Sequence, residues 1–185
     1  MNNISNKIIF LDVDGVLNGY STFTGLCYKA FKKLHLLRFV KRHYDLFGVH
    51  TNKVRRLSKI VKATDAKVVI SSSWRSTWYD PYEEKSKSDK QLEDKLKQFN
   101  IEVIGITPTR KDGKRGLEIL SYLNEHEEID NFVILDDEGF DIKDLFWNKF
   151  VCTSKDGKIT GAWYENTGLK RKHVKQAIKI LNEGS

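Results

Sequence analysis

Apolar runs that stop at a polar residue constrain this chain most. KIIFL (7–11) ends at Asp12, KVVI (67–70) at Ser71-Ser72-Ser73, and NFVIL (131–135) at Asp136-Asp137. These runs are apolar at successive positions rather than at alternate ones. Strands of that kind are buried on both faces, as in a parallel sheet covered by helices above and below. IEVIGI (101–106) is a further strand of this type, and 150–152 is a short last one.

Between the runs the apolar period lengthens to that of a helix. Val54, Leu57, Ile60 and Val61 share one face of 53–63, and Leu92, Leu96 and Phe99 share one face of 89–99. Ile119, Leu120 and Leu123 do so in 116–126, and Val174, Ile178 and Leu181 in 170–182. Strand and helix alternate, which predicts an α/β fold: a Rossmann-like, doubly wound parallel sheet of about five strands. The 185 residues fit a single domain. Residues 19–50 break the rhythm and predict a small cap insertion after strand one, and 76–88 is a second irregular stretch.

Composition narrows the setting. No run approaches the roughly 20 apolar residues of a membrane span. The polar start MNNISN carries no secretory leader, so a cytoplasmic protein is expected. Cys27 and Cys152 have no metal-type spacing and are read as free thiols. The net charge of +7 favours an anionic partner. Much of it lies in 29–43, where Lys29, Lys32, Lys33, Arg38, Lys41 and Arg42 stand among Tyr28, Phe31 and Phe39 with no acid between 29 and 43. That pattern suits either a solvated cap surface or nucleic-acid contact through stacking and charge. A second basic stretch is Lys170, Arg171, Lys172, His173 and Lys175.

In open α/β sheets, ligands bind outside the carboxyl ends of the strands. Asp12, Asp14, Asp136 and Asp137 would therefore converge there with the serines. Carboxylates crowded together do not all stay ionised unaided. An all-oxygen donor set without His or Cys suits Mg²⁺, which commonly bridges carboxylates and a substrate phosphate. A serine hydroxyl and a cation from Lys114 or Arg115 could bind the remaining phosphate oxygens. One carboxylate could then attack phosphorus and a second move the proton.

These segments resemble the haloacid dehalogenase (HAD) superfamily. FLDVDGVLN (10–18) is similar to its first motif, DxDGxxN. VVISSSWR (68–75) is similar to the second, KRGLEI (114–119) to the third, and VILDD (133–137) to the fourth. The SSWR, RGxEI and ILDD forms together resemble a subgroup associated with nucleic-acid repair, including domains like the 3′-phosphatase of polynucleotide kinase-phosphatases. The resemblance covers nearly the whole chain except 19–50.

It implies a Mg²⁺-dependent phosphohydrolase with Asp12 as nucleophile and metal ligand. Asp14 would be the general acid/base, with its backbone carbonyl on the metal. Ser72 is favoured over Ser71 and Ser73 for phosphate binding, and Arg115 over Lys114 as the cation. Asp136 would complete the metal site with Asp137 as helper, although Asp137 could instead cap a helix. Arg75 would either fix its loop through a carboxylate or touch substrate. The implied substrate is a phosphorylated nucleotide or polynucleotide end, with a 3′-phosphate among the candidates. The alternatives are a small phosphorylated metabolite or a non-catalytic nucleic-acid-binding module. A receiver-type phospho-acceptor is disfavoured, because there the acidic pair ends strand one. The oligomeric state is not legible.

Overall fold

The computed structural model describes residues 6–18, 48–154 and 168–183. Its centre is a five-stranded sheet in the order β3-β2-β1-β4-β5, parallel at every pairing. The strands are β1 (Lys7–Leu11), β2 (Lys67–Ile70), β3 (Val103–Ile106), β4 (Asn131–Asp136) and β5 (Phe150–Cys152). The helices are α1 (Thr51–Thr64), α2 (Lys87–Gln98), α3 (Arg115–Glu125), α4 (Phe140–Phe146) and α5 (Arg171–Asn182). The doubly wound parallel sheet read from the sequence is the fold. The predicted cap at 19–50 falls largely on 19–47, outside the described residues, as do Cys27 and the basic segment 29–43.

Each strand divides its side chains between two cores, as the period of two requires. Ile9 and Leu11 of β1 join Val68, Ile70, Val133 and Leu135 on one face of the sheet. There they meet Val54, Leu57 and Ile60 of α1, Leu92 and Leu96 of α2, and Val174, Ala177 and Leu181 of α5. Ile8 and Phe10 point the other way, with Val69 and Ile134, against Ile119 and Tyr122 of α3 and Ile142 of α4. Apolar side chains on both faces explain why the strands read as unbroken apolar runs. Edge-to-face contacts of Phe10 with Tyr122 and Phe132, at 5.6 and 5.8 Å between centroids, complete the second core.

Local chemistry sets the helix ends. Ser86 accepts the Asp89 N–H at 3.2 Å and starts α2 two residues before the expected helix. Asp65 ends α1 in the left-handed region at φ 56°. The α4 helix was not anticipated. It has seven residues, and a single turn or two carries little periodicity. It matters nonetheless, because Asp141 Oδ2 accepts the Leu117 N–H at 3.2 Å and so caps α3 from outside. The two helix ends are in close contact: a Cβ on Gly116 would lie 2.9 Å from the Asp141 carbonyl oxygen.

Candidate active site

The register of the sheet assembles the site. Phe10 pairs with Val69 and with Ile134, so two residues on in each strand Asp12 stands between Ser71 and Asp136. The ladder runs on in that register: Asp12 N–H donates to Leu135 O at 2.9 Å and Ser71 N–H to Leu11 O at 2.8 Å. Ile70 pairs with Ile106 and Asp136 with Cys152, which extends the row to Thr107 on one side and Cys152 on the other. Asp12 follows Ile8 and Phe10 in the alternation, so the row belongs to the face covered by α3, the helix that begins with Arg115.

That arginine closes the cluster. Its Nη1 lies 2.8 Å from Asp12 Oδ1 and 2.7 Å from Asp136 Oδ2. Lys114, the other candidate cation, is exposed at the N-cap of α3, one residue before the helical phase that aims a side chain at Asp12. Asp136 also accepts the Glu138 N–H at 2.8 Å. Asp137 is not a helix cap, since Gly139 holds that position in α4. Its carboxylate lies against Gly15, where a Cβ would sit 2.1 Å from Asp137 Oδ2 and where φ is +69°. Only glycine tolerates both the contact and the conformation. Thr153 holds the same turn from beyond β5, donating Oγ1–H to Gly15 O at 2.9 Å.

Carboxylate oxygens of Asp12, Asp136 and Asp137 all lie within 4.8 Å of one another, and all three residues are buried. Burial, and then Asp136, push the Asp12 carboxyl well above the usual range; Arg115 and a hydrogen bond from Ser72 act against them. Burial also raises Asp136, opposed by Arg115. Burial, then Asp136 and Glu138, push Asp137 up to about 7. A divalent cation in the cluster would favour all three charged forms at once, and three oxygen ligands without His or Cys suit a hard ion. These residues fit a metal.

Asp14 is exposed and stands apart from that cluster. Its Oδ1 accepts from Asn18 Nδ2, and its Oδ2 accepts from Trp74 Nε1 at 2.9 Å. Asn18 also turns the loop, accepting the Gly15 N–H at 2.8 Å through Oδ1. The Ser72 hydroxyl is engaged within the protein, with Asp12 and with the Val13 N–H at 3.4 Å. By contrast, the Ser71 and Thr107 hydroxyls are buried with no hydrogen-bond partner among the described residues. Buried hydroxyls rarely go unpaired. Beside a cation and a carboxylate cluster, they are suited to a ligand's oxygens. Ser73 is exposed.

Of the two readings of Arg75, the structure has the carboxylate pair. Its Nη2 meets Glu118 Oε1 at 2.8 Å, Nη1 reaches Ser72 O at 3.2 Å, and Nε reaches Thr109 Oγ1 at 3.1 Å. Glu118 Oε1 also accepts the Arg110 N–H at 2.8 Å. One buried ion pair thus ties the loops after β2 and β3 to α3. Sequence reasoning missed Trp74, Thr107 and Glu118. Trp74 and Glu118 act through partners distant in the chain, and Thr107 is brought to the row only by the pairing of β2 with β3, so only the sheet order could have found them.

A model of the HAD domain in Swiss Army Knife RNA repair proteins matches residues 8–161. No curated protein and no solved structure matches the chain. Among the described residues no helix is long and apolar enough to cross a membrane.

Proposed function

We propose, from the premise that this chain belongs to the family of HAD domains in Swiss Army Knife RNA repair proteins, that it is a Mg²⁺-dependent phosphohydrolase acting on phosphorylated polynucleotide ends. The convergence of Asp12, Asp136 and Asp137 within 4.8 Å, with Arg115 against two of them, carries this reading. Asp12, Asp136 and Asp137 would hold the ion with the backbone carbonyl of Asp14. The ion would neutralise phosphoryl charge and orient the phosphate.

The protein's own groups then have distinct tasks. A free carboxylate oxygen of Asp12 attacks phosphorus in line as the bond to the leaving oxygen breaks. Asp14 gives that oxygen its proton. Asp14, now ionised, takes a proton from water as the water oxygen attacks the aspartyl-phosphate, releasing phosphate and restoring Asp12. Arg115 offers a fixed fork of donors to the transferring oxygens. Ser71, whose hydroxyl has no hydrogen-bond partner among the described residues, would bind the phosphate together with or in place of Ser72. The family context supports RNA ends, and a 3′-phosphate is the proposed position. The whole chain would act as one domain.

The test is phosphate release with Mg²⁺ from 3′- and 5′-phosphorylated oligoribonucleotides, mononucleotides and sugar phosphates, with Asp12→Asn as control. Selective release from oligonucleotide 3′ ends, abolished in the variant, is expected. Release mainly from sugar phosphates or mononucleotides would keep the chemistry and discard the repair substrate. No release from any of them would remove the enzymatic reading.

A further inference from the structure

We propose that Trp74 is a positioning residue for Asp14, setting the orientation from which that carboxyl passes its proton to the leaving group. This deepens the phosphohydrolase reading and rests on it. Asp14 is exposed, unlike Asp12, Asp136 and Asp137, and an exposed side chain is free to rotate unless something holds it. Two donors hold it here, one on each oxygen: Asn18 Nδ2 on Oδ1, and Trp74 Nε1 on Oδ2 at 2.9 Å. Asn18 belongs to the same turn as Asp14 and moves with it. Trp74 comes from 60 residues away, so among the described residues it is the one that references the carboxyl to the rest of the fold.

The anchoring of Trp74 fits that task. It lies in a 3-10 turn over Ser73–Thr77, half-buried, with its ring packed against the core on the α1 side of the sheet. The next residue, Arg75, is locked by Glu118 at 2.8 Å and by Ser72 O at 3.2 Å. The turn also closes on itself, with Arg75 N–H donating to Ser72 O at 3.1 Å. An indole N–H is a donor with no acceptor capacity. It can therefore set the direction of a carboxyl without competing for its proton. General acid catalysis depends on such placement, because the proton must lie within hydrogen-bond reach of the leaving oxygen.

Trp74→Phe keeps a ring in the core and removes the N–H. A misplaced acid costs most where the leaving oxygen needs a proton. Turnover of a 3′-phosphorylated oligonucleotide or an alkyl phosphate should fall about 10- to 100-fold. Turnover of p-nitrophenyl phosphate, whose leaving group departs as the anion, should fall less than about 3-fold. In an Asp14→Asn background, Trp74→Phe should add no further loss for the alkyl phosphate. Equal losses on both substrates would assign Trp74 a merely structural role, and no loss on either would overturn the proposal.

A second readout needs no activity. The protein has four tryptophans, and the Trp74 indole N–H resonance is identified by its disappearance in Trp74→Phe. It should shift, and exchange with solvent faster, in Asp14→Asn. An unmoved resonance would overturn the contact itself, even if no substrate were ever turned over. Failure of the phosphatase reading would instead leave this resonance shift intact.

Discussion

Arg115 Nη1 lies 2.8 Å from Asp12 Oδ1, and the same nitrogen lies 2.7 Å from Asp136 Oδ2. The guanidinium therefore holds two of the carboxylates that a metal ion would use. A fixed positive charge at that range repels a divalent cation and competes for its ligands. Arg115→Gln should bind Mg²⁺ or Mn²⁺ about tenfold more tightly by calorimetry, and inorganic phosphate more weakly. Weaker metal binding in the variant would mean that the guanidinium instead orders the carboxylates for the ion.

Gly15→Ala should abolish phosphate release while leaving the far-UV circular dichroism of a folded α/β protein. The added methyl would lie 2.1 Å from Asp137 Oδ2 at a backbone φ of +69°. The turn, the carboxylate or both must then move. Calorimetry with Mg²⁺ locates the damage: the variant should lose metal binding together with turnover. Normal metal affinity would show that Asp137 can retreat without harm.

Glu118→Ala should destabilise the fold by about 3–5 kcal/mol in urea unfolding, because it leaves the Arg75 charge buried without its partner. The pair is closely held, at 2.8 Å, with side chains 9% and 3% exposed. Arg75→Met combined with Glu118→Leu should recover much of that stability, since an apolar pair replaces two desolvated charges. Turnover should not recover in the double variant, because Thr109 Oγ1 and the Arg110 N–H would have lost their partner side chains and Ser72 O its guanidinium donor. Recovery of both would show that the ion pair has no part in ordering the loops.

The chain's fold was legible wherever a pattern is carried by consecutive residues. Unbroken apolar runs such as 7–11 and 131–135 marked doubly covered strands, and the helical stretches between them placed α1, α2, α3 and α5 to within a few residues. The order of strands was not legible, and the site depends on it. That Ser71 stands beside Asp12 follows only from the pairing of β1 with β2, two residues past Phe10–Val69. The phase of α3, with Lys114 as N-cap and Arg115 as first helical residue, is likewise a matter of a helix boundary that spacing places only to within a residue or two. The link from Trp74 to Asp14 spans 60 residues and leaves no trace in spacing. The α4 helix was missed because its seven residues are too few for a period to show.

His173 supplies a pH prediction away from the reacting groups. It is buried at the start of α5, and its Nδ1 accepts the Lys170 N–H at 3.1 Å, which requires the neutral ring. Burial, then Lys172 and Lys170, hold it down at about 4, against an ordinary 6.5. Between those values the unfolded chain binds the proton and the folded one does not, so stability rises with pH. The contribution is full above 6.5 and is lost as pH falls towards 4. His173→Asn offers an oxygen in place of Nδ1 but cannot titrate. The difference in unfolding free energy between wild type and variant, measured across that range, should shrink as pH falls. A constant difference would show that His173 is protonated in the folded protein.

Asp12, the proposed nucleophile, sits at the end of β1, the middle strand, hydrogen-bonded on both sides to β2 and β4. Fraying begins at edges and reaches a middle strand last. Amide protons of Ile9, Phe10 and Leu11 should accordingly be among the slowest to exchange with solvent. The Asp12 carboxylate is thus rooted in the most durable part of the molecule. Warming would loosen the outer strands and the loops that meet substrate before it disturbed the footing of Asp12.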